Sequence, residues 1–203
     1  MTPRRPLLDR AVDAKSSTRA RADVKVTARA LEARAGDRPA LGEFIRLTQA
    51  DVWRFVAHLA GREMADDLTQ ETYLRAMDAL PSFRGESSAR TWLLAIARRV
   101  AADHFRRQST RPPEASPDSA DRLTVPDASA RVELERMLAS LDPVRREALV
   151  LTQVFGLSYA EAAAIAGVAV GTIRSRVARA RAELVDQWSD SVTTLGRRGP
   201  LAG

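Results

Sequence analysis

The stretch from Ser158 to Leu184, SYAEAAAIAGVAVGTIRSRVARARAEL, leaves few folds open. Ser158 and Glu161 have the S-x-x-E spacing of a capping box, in which the serine oxygen takes a first-turn amide and the glutamate reaches back to the cap. A short alanine-rich helix follows and stops at Gly167, the residue type best suited to a positive φ at a helix end. A turn through Val168 and Ala169 opens a second helix. There Ile173, Val177, Ala180 and Leu184 step by four, three and four into one apolar stripe.

Arg174, Ser175, Ala178 and Arg179 form another face on the same spacing rule, and no acid falls between Ala162 and Ala182. A small residue lets the helix backbone approach a partner, and arginine forks suit phosphate and the guanine edge. Cap, glycine break, stripe and arginine face agree on a helix-turn-helix whose second helix enters the major groove of duplex DNA. The competing reading of these residues is a helical hairpin with a solvated arginine face.

Composition sets the wider bounds. The 203 residues are enough for one or two domains with a real core. Lys and Arg number 32 against 26 Asp and Glu, a net charge of +6 that favours a polyanionic partner. There is no cysteine, so disulfides and thiolate metal sites are excluded. No apolar run approaches the length of a membrane span, and the N-terminus lacks the apolar core of a secretory signal. A cytoplasmic chain without a membrane partner follows. Apolar residues recur at helical rather than alternating spacing, so the expected fold is all-α: two small helical domains joined by a flexible Pro-rich linker, the C-terminal one the helix-turn-helix.

In chain order, residues 1–35 read as a disordered basic leader, with a short helix available from Val26 to Ala35. Residues 36–108 form a first helical domain. Leu41, Phe44, Ile45, Leu47, Val52, Phe55, Val56 and Leu59 recur at helical spacing before Gly61, and a helix spans Glu63 to Met77 before Pro81. The loop Ser82–Arg90, SFRGESSAR, leads into a helix from Thr91 to about Arg107 with Trp92, Leu93, Ile96 and Val100 on its buried side. Residues 109–129 hold four prolines and several serines, and read as an extended linker. Residues 130–188 form the second domain, where a helix over Arg131–Ser140 precedes one that Asp142 caps and Pro143 opens. Residues 189–203 are a flexible tail.

Three segments in this order, DDLTQETYLRAM from Asp66, FRGESSARTWLLAIAR from Phe83 and GLSYAEAAAIAGVAVGTIRSRVARAR from Gly156, resemble a bacterial sigma factor of the extracytoplasmic-function type. The outline is similar to the actinobacterial sigma factor C group and covers about residues 40–186. The resemblance implies a subunit that binds core RNA polymerase through the β′ coiled coil and the β flap and directs it to promoter DNA, with an anti-sigma factor as a further candidate partner. The first segment resembles the β′ docking helix, which puts contacts on Asp67, Gln70, Glu71, Tyr73 and Met77; the spacing also lets Leu74 share that face. The second resembles the part that opens the promoter and reads the −10 element as single strand. Phe83, Arg84 and Ser87 are its candidate pocket residues, and Arg90, Arg98, Arg99 and Arg106 its phosphate track. Trp92 suits the core. Arg99 stands where many family members carry asparagine, so the −10 base preference of the family does not transfer.

The third segment resembles the −35 reader. Arg174, Ser175, Ala178 and Arg179 face bases, Arg176 and Arg181 grip phosphate, and Thr172 sits at the helix start, where a hydroxyl or amide meets a phosphate. The linker resembles the segment that threads toward the polymerase cleft. A stand-alone helix-turn-helix regulator explains the C-terminal half but gives DDLTQETYLRAM and the Phe83 loop no role. An enzyme is disfavoured: His58 and His104 are far apart, and no zinc-ligand spacing, phosphate loop or nucleophile elbow occurs. No catalytic residue, metal site or cofactor is expected.

Overall fold

The computed structural model describes the backbone of residues 7–109 and 136–197 and the side chains of residues 19–108 and 136–189. Among the described residues every regular element is helical. The chain divides into two compact units.

The first unit is built from α1 (Leu7–Arg34), α2 (Arg38–Ala60), α3 (Ala65–Ala79), a 3₁₀ turn (Leu80–Ser82) and α4 (Ala89–Ser109). Asp37 caps α2 by accepting the Ala40 amide, and Gly61 closes it at φ 89° with its amide on the Ala57 carbonyl. Phe44, Val52, Phe55 and Val56 of α2 are buried, as are Leu68 and Ala76 of α3 and Leu93, Leu94, Ala97 and Val100 of α4. Two buried threonines satisfy their hydroxyls within their own helices: Thr48 donates to the Phe44 carbonyl at 2.8 Å and Thr72 to the Leu68 carbonyl at 2.6 Å.

The N-terminal stretch differs from the sequence expectation. Where a basic leader with a short helix from Val26 is expected over residues 1–35, helix runs from Leu7 to Arg34 and packs on α2. Val26, Ala30 and Ala33 step by four and three and are buried. Two of the three are alanines, so the stripe is faint in the sequence, yet small residues allow close helix approach. Lys25 and Arg29 then pair with Glu43 of α2, at 2.8 and 3.1 Å.

The second unit contains helical residues 136–140 (α5), α6 (Pro143–Leu149), a single π turn (Val150–Val154), α7 (Tyr159–Ala166) and α8 (Val170–Arg197). Asp142 caps α6 by accepting the Val144 and Arg145 amides. The π turn, closed by the Phe155 amide on the Val150 carbonyl, follows α6 directly. The backbone of α8 continues to Arg197, past the boundary drawn at 188. The linker residues 110–129 and the start of the helix expected over 131–140 lie outside the described residues.

Candidate nucleic-acid and partner interfaces

The helix-turn-helix forms as its sequence dictates. The Ser158 oxygen accepts the Glu161 amide at 3.2 Å, and a Glu161 carboxylate oxygen accepts the Ser158 amide at 2.8 Å. Gly167 ends α7 in the left-handed region at φ 66° and ψ 37°. Ile173, Val177 and Ala180 of α8 are buried, while Arg174, Ser175, Ala178, Arg179 and Arg181 are exposed and Arg176 and Thr172 are half-buried. One helix thus roots its apolar stripe in the unit and turns arginine and small residues outward.

Several of these side chains have internal partners that the sequence does not reveal. The Arg174 guanidinium lies over the Tyr159 ring, 5.9 Å from its centroid. Arg181 donates to the Gln153 side chain at 2.8 Å. The Ser175 hydroxyl donates to the Thr172 carbonyl at 2.9 Å, and the Thr172 amide donates to the Ala169 carbonyl at 2.9 Å. The Thr172 amide is therefore committed to the helix.

In the first unit, Ser82, Phe83, Arg84, Glu86, Ser87 and Trp92 line a cleft of about 340 Å³. The Phe83 and Trp92 rings, both on its lining, lie tilted at 39° to each other with centroids 4.9 Å apart. Phe83 is buried, so it presents a ring to the cleft wall rather than projecting outward. Trp92, assigned to the core from sequence, is half-buried and also borders the cleft. Arg99 and Arg106 lie seven residues apart on α4, on the face that Trp92 begins and Ala95 and Ala102 share; both arginines are exposed. Arg106 pairs with Asp103, which also receives Arg75 of α3 at 2.5 Å. The Arg75 hydrogen bond holds the Asp103 carboxyl below the usual carboxylate range. Arg98, half-buried, flanks this face.

Arg90 departs from its expected role. It is 15% exposed and reaches Asp51 of α2 at 2.5 Å and Asp23 of α1 at 3.7 Å. It bridges α1, α2 and α4 through these two pairs. Arg90→Ala removes the cation that Asp51 and Asp23 share, although Arg54 and Arg19 still pair with them, and is expected to destabilise the first unit by about 1–2 kcal/mol. Thermal unfolding of the variant checks this; an unchanged midpoint with weakened DNA binding would restore the phosphate role.

On α3, Asp67, Gln70 and Leu74 are exposed, Leu74 at 57%, with Glu71 and Met77 beside them. Glu71 accepts Arg75 at 2.8 Å. Tyr73 departs from this face: its hydroxyl bonds Thr48 of α2 at 2.7 Å. Burial pushes the Tyr73 phenol up to about 12, with the Thr48 bond acting in the opposite direction. A raised folded pKa means that this stabilisation is present below the unfolded value of 10.0 and is lost as pH rises through about 12. Ultraviolet titration should show a phenol transition there, and Tyr73→Phe should remove that transition and about 1 kcal/mol of stability.

Residues 44–111 match the family model described as sigma-70 region 2, and residues 131–184 match sigma-70, region 4. The chain is 55% identical over 177 residues to the ECF RNA polymerase sigma factor SigC of Mycobacterium tuberculosis, covering 84% of this chain and 96% of that protein. It is 33% identical over 167 residues to the ECF RNA polymerase sigma-E factor of Escherichia coli, covering 74% of this chain and 87% of that protein. Among solved structures, it resembles the sigma factor RpoE in complex with the anti-sigma factor NepR from Bartonella quintana, with TM-score 0.59, 29% identity and coverage of 73% and 96%. It also resembles CnrH in complex with the cytosolic domain of CnrY, with TM-score 0.64, 28% identity and coverage of 82% and 98%.

Proposed function

We propose a division of labour within this chain, which belongs to the extracytoplasmic-function sigma-70 family, in its sigma-C group, and acts with RNA polymerase in promoter-specific transcription initiation. The first unit docks on core polymerase through Asp67, Gln70, Glu71 and Leu74 and receives the melted −10 strand in the Phe83–Trp92 cleft. The exposed face of α8 reads the −35 duplex with Arg174, Ser175, Ala178 and Arg179, while Arg176 and Arg181 meet phosphate. Residues 36–108 and 130–188 are the two working domains, with 109–129 as the linker that the polymerase threads. The chain works in the cytoplasm and performs no catalytic step; phosphodiester chemistry belongs to the polymerase. An anti-sigma factor that holds the chain inactive fits the complexes in which its structural relatives are found.

The cleft carries the reading. It combines the Phe83 and Trp92 rings with Ser82, Ser87 and Arg84, and the exposed Arg99 lies two turns further along the face of α4 that Trp92 begins, a combination that suits an unstacked base and its backbone. A regulator that binds only duplex DNA has no use for it. The test is fluorescence anisotropy with a promoter fragment, using the chain alone and with core polymerase. Alone, the chain should bind weakly and with little sequence preference, since each small unit offers few contacts. With core it should bind tightly and specifically. Tight, sequence-specific binding by the chain alone would favour the stand-alone regulator.

A further inference from the structure

We propose that α1 is a positioning element for the single-strand cleft, and that Thr27, Leu31 and Arg34 set the course of the Phe83–Ser88 loop. The proposal rests on reading that cleft as the −10 site. All three residues precede the segment that matches sigma-70 region 2, which begins at residue 44.

Thr27, Leu31 and Arg34 step by four and three, so they share one face of α1. The buried stripe Val26, Ala30 and Ala33 lies beside it and packs the helix down. The outer face meets the loop at three successive points. At the loop entry, Arg34 Nη1 donates to the Phe83 carbonyl oxygen at 2.8 Å. At its middle, Gly85 takes φ 75°, a conformation that L side chains rarely adopt, and its open side faces Leu31. At the exit, the Ala89 amide donates to Thr27 Oγ1 at 3.0 Å, and the Thr27 hydroxyl donates onward to the Asp23 carbonyl at 2.8 Å.

The last bond supplies something α4 lacks. Ala89 is its first residue, and first-turn amides have no partner within the helix. Ser88 accepts the Thr91 amide at 3.1 Å, which leaves the Ala89 amide to another element, and α1 provides the oxygen.

Between these anchors the loop is not packed solid. A second cleft of about 480 Å³ lies between α1 and Gly85–Ser88, lined in part by Val24, Thr27, Ala28 and Leu31. Hydrogen bonds from α1 hold the two ends of the loop, while its middle meets α1 only at Leu31 beside this cleft. Glu86 and Ser87 border both clefts, so movement into one reshapes the other. The width of the base-accepting cleft thus depends on a helix that need not touch DNA.

The experiment uses full-length Thr27→Val and Arg34→Ala in reconstituted holoenzyme, with Thr27→Ser as the conservative variant and Arg84→Ala as a variant of the cleft wall. Promoter opening is followed by permanganate reactivity of the melted strand on a panel of promoters that differ at single −10 positions. Core assembly and −35 duplex binding are measured beside it. Removal of one anchoring bond should slow opening on the best promoter by about threefold to tenfold and narrow the spread across the panel. Core assembly should be unchanged, and Thr27→Ser should restore both rate and spread. If Thr27→Val and Arg34→Ala keep the native spread while Arg84→Ala narrows it, α1 does not position the loop. A matching loss of core assembly and opening would likewise overturn the proposal, since it marks general unfolding. If Arg84→Ala also leaves opening untouched, the cleft is not the −10 site and the proposal falls with that reading.

Discussion

Arg174→Ala is expected to flatten the holoenzyme's choice among −35 sequences by about 1–3 kcal/mol at the base it contacts, which is the range of one good bidentate arginine contact. The residue is exposed near the start of α8, one step from the buried Ile173 that fixes the helix in place. In the absence of DNA its guanidinium already lies over the Tyr159 ring, which limits its freedom before binding. Arg179 lies five residues on and is also exposed, so Arg179→Ala should affect a different base. Both substitutions should leave core assembly unchanged. Arg176→Ala should instead weaken binding to all sequences alike and lower the salt slope by about one unit. Competition among −35 variants, read by footprinting or initial transcription rate, separates these patterns. If Arg174→Ala lowered every promoter equally, the residue would be a phosphate contact.

The second large effect is on polymerase docking. Leu74 is 57% exposed and stands among Asp67, Gln70 and Glu71. An exposed apolar side chain among hydrogen-bonding groups gains by burial against a partner, and losing that burial costs about 2 kcal/mol. Leu74→Ala should thus weaken core binding by at least about tenfold, with no loss of thermal stability, because the side chain is largely in water in the free protein. Titration of labelled core with the variant measures this. Unchanged affinity would remove α3 from the docking surface. Tyr73→Phe is the contrasting case: its hydroxyl is directed at Thr48, so it should affect stability before it affects core binding.

Features decided by neighbours in sequence were legible in advance. Ser158, Glu161 and Gly167 act within a single turn of chain, and the stripe of Ile173, Val177 and Ala180 follows from helical period alone. The same holds for the Asp142 cap and the closure of α2 at Gly61. What escaped was the ownership of individual side chains. Arg90 and Arg99 look alike in a basic stretch, yet Arg90 is held by Asp51 and Asp23 from distant parts of the chain, while Arg99 is exposed. The roles of Thr27 and Arg34 depend on partners 62 and 49 residues away. The α1 helix was undervalued because its buried stripe is mostly alanine, which carries little hydrophobic signal. Trp92 fits the core by helical spacing and is half-buried; its place on the cleft lining depends on Phe83 and the loop beside it.

The most direct test is transcription in vitro. The chain is combined with core RNA polymerase and a pool of genomic promoter fragments, and the 5′ ends of the transcripts are mapped. Discrete new starts that require the chain are predicted, with shared sequence at both the −10 and −35 positions; Arg174→Ala should redistribute them and Leu74→Ala should reduce them all. No chain-dependent starts, together with a specific shift of duplex DNA by the chain alone, would contradict the account.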